Sequence, residues 1–405
     1  MNPAAPGRRP RIPRTVWALG FVSLFMDVSS EITHALLPLF LTVTLGASVA
    51  MVGVIDGIAE STASIAKVFS GYVSDRIGRR KPLILLGYGL GALSKPLFPL
   101  AGSVATVLGA RFIDRIGKGL RGAPRDALVA DVTPAAIRGR AFGLRQSLDT
   151  VGAFLGPLIA IGLMAAFAND MRAVFWAALI PAGLAVLCVL VGVEEPKRPA
   201  TADPVRPPVR LSDLGQLGEG FWRVAGIGVV FSLARFSEAF LILKAHQEGL
   251  PLALAPLVLV AMNLVYAAGA YPAGIASDAV RLRDLLAWGL ALLIAADLVL
   301  ARASGVTGVF VGIALWGGHM AMTQGLMARL VADTAPEPVR ASGFGLFNLA
   351  SGLALLAASL IAGLVWDRFG SDATFLSGAT LAAVALVLVA AGFGQVKGRP
   401  VVAPR

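Results

Sequence analysis

Long apolar runs alternate with short basic or Gly/Pro-rich turns along the chain. Twelve runs stand out, near 16–43, 49–73, 82–101, 104–128, 141–167, 172–193, 221–245, 251–276, 284–302, 305–330, 342–366 and 372–395. A helix needs about 20 predominantly apolar residues to cross a hydrocarbon core. Most of these runs meet that length without the polar stripe that a helix on a soluble core carries. The fourth, fifth and seventh runs carry charge, and their reading as spans is weaker. The pattern predicts an all-α integral membrane protein with 12 transmembrane helices.

Polar positions between the runs set the expected topology. Basic residues gather on alternate turns: Arg76/Arg79/Arg80/Lys81, Arg138/Arg140, Lys197/Arg198/Arg206/Arg210, Arg281/Arg283 and Arg340. The N-terminal arginines and Lys397/Arg399/Arg405 fall on the same side. Cytoplasmic loops carry such an excess, so both termini are expected in the cytoplasm. The only long polar segment, 194–220, is Pro- and charge-rich and reads as a linker. The expected organisation is a tail at 1–15, a six-helix bundle at 16–193, the linker at 194–220, a second bundle at 221–395 and a tail at 396–405.

The two bundles are related. ADVTPAAIRGRAFGL (130–144) aligns without gaps with ADTAPEPVRASGFGL (332–346), an offset of 202. Identity falls on polar and Pro/Gly positions, including Asp131/Asp333, Pro134/Pro336, Arg138/Arg340 and Gly143/Gly345. A fainter trace pairs Gly71 and Asp75 with Gly274 and Asp278. Parallel repeats of this kind place a substrate site near the midplane.

Composition sharpens the class. The 405 residues are 57% hydrophobic and 15% charged, against about 25% charged in soluble domains. That excludes a soluble enzyme and leaves no room for a large extramembrane domain. The net charge of +11 is explained by cytoplasmic loops beside anionic lipid, so no nucleic-acid partner is expected. One cysteine, Cys188, gives neither a disulfide framework nor a thiolate metal site. The basic N-terminus leads into a run containing Asp27 and Glu31, unlike a cleavable signal peptide.

Residues 71–81 read GYVSDRIGRRK. This resembles the G-x-x-x-D-R-x-G-R-R/K loop of the major facilitator superfamily, and with the duplicated halves the resemblance covers nearly the whole chain. It implies that fold and a cytoplasmic latch built from Gly71, Asp75, Arg76, Gly78, Arg79, Arg80, Asp131 and Arg138. By resemblance, Asp75 meets the N-terminal end of the eleventh helix and Arg79 pairs with Asp131. The fifth span carries GAFLGPLIA at 152–160. It is similar to the family's antiporter motif, with Gly152, Gly156 and Pro157 in place and Ala160 at the last glycine. This leans toward an exporter, although plain helix packing accounts for the same residues. DRIGKGLRGAPRDALVAD at 114–131 is similar to a prokaryotic branch without a firmly assigned substrate.

Charges inside the spans carry the candidate chemistry. Each costs at least about 2.5–3.5 kcal/mol at bilayer depth. At about 100° per residue, Arg111, Asp114, Arg115, Lys118, Arg121 and Arg125 share one face of the fourth span. Asp27, Glu31 and His34 share a face of the first, and Asp56, Glu60 and Lys67 of the second. Arg235, Glu238 and His246 do so in the seventh, and Trp316, His319, Met320 and Thr323 in the tenth. In the superfamily the first, fourth, seventh and tenth helices line the cavity. Asp27, Glu31, Glu60 and His319 are therefore proton-coupling candidates. Arg111, Asp114, Arg115, Lys118, Arg235, Glu238, Trp316 and His319 are cavity candidates. Structural ion pairing, such as Asp27 or Glu31 with Arg115, explains the same residues and stays open. Arg145 and Asp149, one turn apart, read as a structural pair.

The expectation is a proton-coupled exporter of a small polar or anionic solute in the inner membrane. It needs no cofactor beyond the gradient, holds no metal and works as a monomer. An uncoupled facilitator or importer, or efflux of lipophilic cations, is the near alternative. An integral-membrane enzyme is remote, because no Ser/His/Asp, Cys/His, His-x-x-x-His or Walker pattern is present.

Overall fold

The computed structural model describes residues 11–195, 211–323, 326–336 and 339–392. The tails at 1–10 and 393–405 and most of the linker, 196–210, lie outside the described residues. What is described is helical, with no strand. In chain order the helices are α1 Arg14–His34, α2 Val49–Ile77, α3 Lys81–Ser94, α4 Val104–Val132, α5 Arg138–Ala166 and α6 Met171–Gly192. They continue as α7 Glu219–Ala234, α8 Ala239–Gln247, α9 Leu257–Ala279, α10 Leu282–Arg302, α11 Val306–Thr323, α12 Leu326–Thr334 and α13 Arg340–Gly392. Among the described residues nine helical stretches are long and apolar enough to cross a membrane. α3 is too short to count among them and α4 too charged.

Helix ends follow local chemistry. The Ser103 hydroxyl accepts the Thr106 N–H at the start of α4. Asp170 accepts the Arg172 and Ala173 N–H groups at the start of α6. Each cap satisfies donors that the helix leaves orphaned. Pro124 does not interrupt α4: the helix runs through it to Val132. Gly370, at φ 87°, breaks α13 between the eleventh and twelfth apolar runs.

The chain divides into two compact units. Unit 1 takes 1–48, 58–208 and 250–260, and unit 2 takes 49–57, 209–249 and 261–405. α2 therefore contributes its first residues to unit 2 and the rest to unit 1. Unit 1 has a core of Val16, Leu19, Val22, Met26, Ile84 and Tyr88, all fully buried. α5 lies directly on the backbone of α1: a Cβ added at Gly152 would stand 2.5 Å from the Leu24 carbonyl, and one at Gly156 would stand 2.6 Å from Glu31 Cβ. α3 and α4 cross equally closely, Gly117 against the Gly87 carbonyl at 2.5 Å.

In unit 2 the seventh apolar run is two helices. α7 stops at Ala234, residues 235–238 leave the helix, and α8 resumes at Ala239. α7 packs on α13 where Gly228 meets Phe347. At the far end of α8, the buried Lys244 ammonium reaches Glu248 at 2.9 Å and Asp372 at 3.0 Å. Glu248 also accepts the Gly305 N–H at 2.9 Å. That backbone donor, followed by Lys244, holds the Glu248 carboxyl below its ordinary value.

Two outcomes follow. Gly156→Val should cost about 1–3 kcal/mol by overpacking, read as a lower Tm in detergent, while Gly162→Ala, with open space at its Cβ, should leave Tm unchanged. Because the Glu248 value is depressed on folding, its contribution is present above about pH 4.3 and fades as pH falls below that. Tm measured from about pH 5 down to about pH 3 should therefore fall more steeply for the parent than for Glu248→Gln.

Candidate functional site

The polar face of α4 is the spine of the site in unit 1. Arg111, Asp114, Arg115 and Arg121 are each no more than 5% exposed, while Lys118 between them is exposed. Burying this many charges is tolerable only with partners. The Lys95 ammonium donates to Asp114 at 3.1 Å and to the Ser30 hydroxyl at 3.2 Å. Arg115 pairs with Glu60 at 3.4 Å and approaches Asp114 at 3.8 Å. Glu60 is thus one partner of Arg115, and α2 presents it to α4 where Gly119 admits Ala63 and Ala66. Glu31 pairs with His34 at 3.4 Å.

A second group lies one to three turns along α4. Arg121 stacks on the Tyr88 ring at 4.6 Å. Arg125 donates to the Ser23 hydroxyl at 2.8 Å and approaches Asp126 at 3.3 Å and Asp149 at 3.7 Å. Arg145 approaches Asp126 at 3.7 Å and Asp149 at 3.6 Å. Asp149 also lies beside Asp27 across the α1–α5 seam. Sequence reading took Asp149 as the partner of Arg145 alone. The signal that could have found it is its place one turn before Gly152, the residue against which Asp27 packs.

The antiporter-like residues gain a concrete role here. Gly152 and Gly156 bring α5 onto α1 beside Asp27 and Glu31, and Pro157 is buried without breaking α5. In all, the cluster gathers Lys95, Arg111, Arg115, Lys118, Arg121, Arg125 and Arg145 against Asp27, Glu31, Glu60, Asp114, Asp126 and Asp149, seven bases to six acids. Lys118 is the exposed base on this ridge, and its charge acts on Asp27, Glu31 and Glu60.

Unit 2 holds a smaller set. Arg235 and Glu238 flank the break between α7 and α8, 3.9 Å apart. The break removes the single helical face expected for Arg235, Glu238 and His246. Trp316 and His319, expected to line a cavity, are both 0% exposed. His319 Nδ1 lies 2.8 Å from the Gly289 carbonyl, which only accepts, so Nδ1 carries the proton. His319 Nε2 and Trp316 Nε1 have no hydrogen-bond partner among the described residues. Asp297 on α10 is fully buried against Gly378, with neither carboxylate oxygen hydrogen-bonded among the described residues.

The loop at 71–81 forms its own network. Gly78 takes φ 70°, which a side chain would strain. Arg79 and Arg76 are exposed, and the buried partner is Arg80, not Arg79. Arg80 pairs with Asp75 and Asp131, each at 2.8 Å, and donates to Ser74 at 3.0 Å. Gly71 lies near Ala123 of α4, and Arg138 donates to the Thr133 carbonyl at 3.4 Å. Glu195, read from sequence as linker, caps α3 through the Arg80 and Lys81 N–H groups. The Asp278 side chain lies outside the described residues. Among the described residues no group of three His, Cys, Asp or Glu side chains is placed to hold a metal.

The comparisons with known proteins agree with this architecture. The family model described as Major Facilitator Superfamily matches residues 19–254 and 224–404. An MFS-type transporter of Methanocaldococcus jannaschii is 30% identical over 384 residues, spanning 93% of this chain and 94% of its own. The inner membrane transport protein YajR of Escherichia coli is 25% identical over 396 residues, spanning 95% of this chain and 83% of its own. The human organic anion transporter TETRAN shares the fold at 18% identity with a TM-score of 0.67, covering 94% of this chain and all (100%) of that one. These proteins are transporters and not enzymes, and the chain, a multi-pass integral membrane transporter, belongs to the major facilitator superfamily.

Proposed function

We propose that the protein is a proton-coupled exporter of a small anionic solute. The observation that carries this reading is the buried charge ridge of α4 with the neighbouring carboxyls of Asp27 and Asp149 at its edge, between which we infer one shared proton. A surplus of base suits a solute with a carboxylate or phosphate, whose oxygens a guanidinium matches in pairs. Lys118 is the exposed base through which such a solute makes its first contact. Lipophilic cations fit this surplus poorly.

Coupling follows from shared bases. Deprotonation of the Asp27–Asp149 pair leaves two carboxylates beside Lys118, Arg121, Arg125 and Arg145, and the bases reorganise around them. Reprotonation reverses that arrangement, so proton and solute occupancy are linked. Glu31 and Glu60 are already engaged with His34 and Arg115, so they tune this exchange rather than carry it. The antiporter-like Gly152 and Gly156 support the export direction, because they press α5 onto α1 at the pair. The twelve-span topology, termini in the cytoplasm and an inner-membrane setting complete the reading. They rest on the basic turns and on the likeness to YajR.

A thermal-shift screen of carboxylates, phosphates and lipophilic cations should show stabilisation by anions; stabilisation by cations alone would overturn the anionic reading. In proteoliposomes with an imposed pH gradient, Asp27→Asn and Asp149→Asn should each cut gradient-driven flux by about tenfold or more while solute exchange at equal pH persists. Undiminished gradient-driven flux in both would remove the coupling. Lys118→Gln should raise the half-saturating anion concentration about tenfold at unchanged Tm.

A further inference from the structure

Lys67 shares the polar face of α2 with Glu60, and Gly122 of α4 decides where its side chain lies. A Cβ added at Gly122 would stand 3.8 Å from each of Lys67 Cγ, Cδ and Cε. The Lys67 stem therefore runs across α4 beside the space that a side chain at 122 would take, and the ammonium, one bond further, is kept beside that helix. The two helices come this close because Gly119 meets Ala66 and the Lys67 backbone, and the Ser70 hydroxyl donates to the Gly119 carbonyl at 2.9 Å. Lys118 stands four residues before Gly122, about 6 Å along the same face. The crossing thus sets two lysines, one from each helix, on one strip of unit 1.

Both are exposed, and among the described residues neither has a carboxylate within ion-pair distance. The acids along the two helices are already engaged. Glu60, two turns before Lys67, holds Arg115 at 3.4 Å. Asp126, one turn beyond Gly122, lies 3.3 Å from Arg125 and 3.7 Å from Arg145. Asp75, two turns after Lys67, holds Arg80 at 2.8 Å. Two like charges on one strip repel, and no side chain relieves them. An ammonium is a compact charge with three donors and no fixed fork, so it takes a carboxylate or a phosphate oxygen alike. Selection by such a pair rests on how many charges the solute carries and how far apart they stand. A solute with two anionic groups a short chain apart answers both lysines at once, and a monoanion leaves one of them unanswered.

We propose that Lys67 and Lys118 form a two-point site for a dianion, a short dicarboxylate or a phosphorylated carboxylic acid. The site rests on the anionic-solute reading above and narrows it to divalent anions.

The experiment uses the full chain in nanodiscs of phosphatidylcholine, which offers no anionic headgroup. Titration calorimetry at one ionic strength compares succinate and phosphoglycolate with butyrate, which has the chain length of succinate and a single charge. The parent should bind the two dianions about tenfold or more tighter than butyrate, the worth of one further charged contact. Lys67→Gln should abolish that preference and leave butyrate binding unchanged, Lys67→Arg should keep it, and Lys118→Gln should weaken all three. Equal binding of butyrate and the dianions by the parent, or an equal loss of all three in Lys67→Gln, would overturn the two-point site and leave the anionic reading standing. Binding of none of the three would overturn the site, while the wider thermal-shift screen decides the anionic reading separately. Adding phosphatidylglycerol to the nanodiscs should leave succinate binding unchanged; its displacement of succinate would overturn the site by giving the lysines to a lipid headgroup.

Discussion

A charge carried into hydrocarbon must find an opposite charge or a hydrogen bond within reach, and unit 1 is built around that constraint. α4 brings a row of bases to bilayer depth. Every neighbour is then shaped to answer it: Lys95 and Asp114 pair across α3 and α4, Glu60 on α2 answers Arg115, and Tyr88 takes the face of Arg121. The close crossings belong to the same solution. Side chains this short-handed for partners reach them only if backbones approach, and small residues permit the approach. Gly87, Gly117, Gly119, Gly152 and Gly156 stand at those crossings.

The pairing is nearly but not fully closed, and the open remainder is what gives a transporter something to do. A fully neutralised cluster would be inert. Here the bases exceed the acids, and two of the acids, Asp27 and Asp149, also face each other. Either imbalance is relieved by a mobile species, an anion in one case and a proton in the other. A shared site for both makes their binding mutually dependent, which is the thermodynamic content of coupling.

Much of this was legible in the sequence. The all-helical membrane class follows from apolar runs that no soluble fold would need, and the α4 face follows from bases three and four residues apart. The loop at 71–81 announced its family outright. What the sequence hid has physical reasons. The break at 235–238 carries no proline or glycine, so helical periodicity ran through it. Pro124 carried the opposite signal, and neighbouring contacts hold the helix through it. Arg79 and Arg80 are adjacent and chemically equal, and only packing decides that Arg80 is the buried one. Asp149 had an obvious local partner in Arg145, and its contact with Asp27 depends on how closely two glycines seat one helix on another. The duplicated halves likewise concealed that the start of α2 is held by residues of the second repeat.

The central claim is that one proton resides between Asp27 and Asp149 in the resting protein. Infrared difference spectroscopy on the purified transporter, with pH as the variable, reads it directly through the carbonyl stretch of a protonated carboxylic acid. The account predicts a carboxylic acid band that titrates in the parent and is lost in both Asp27→Asn and Asp149→Asn. The same band persisting unaltered in both variants would contradict it.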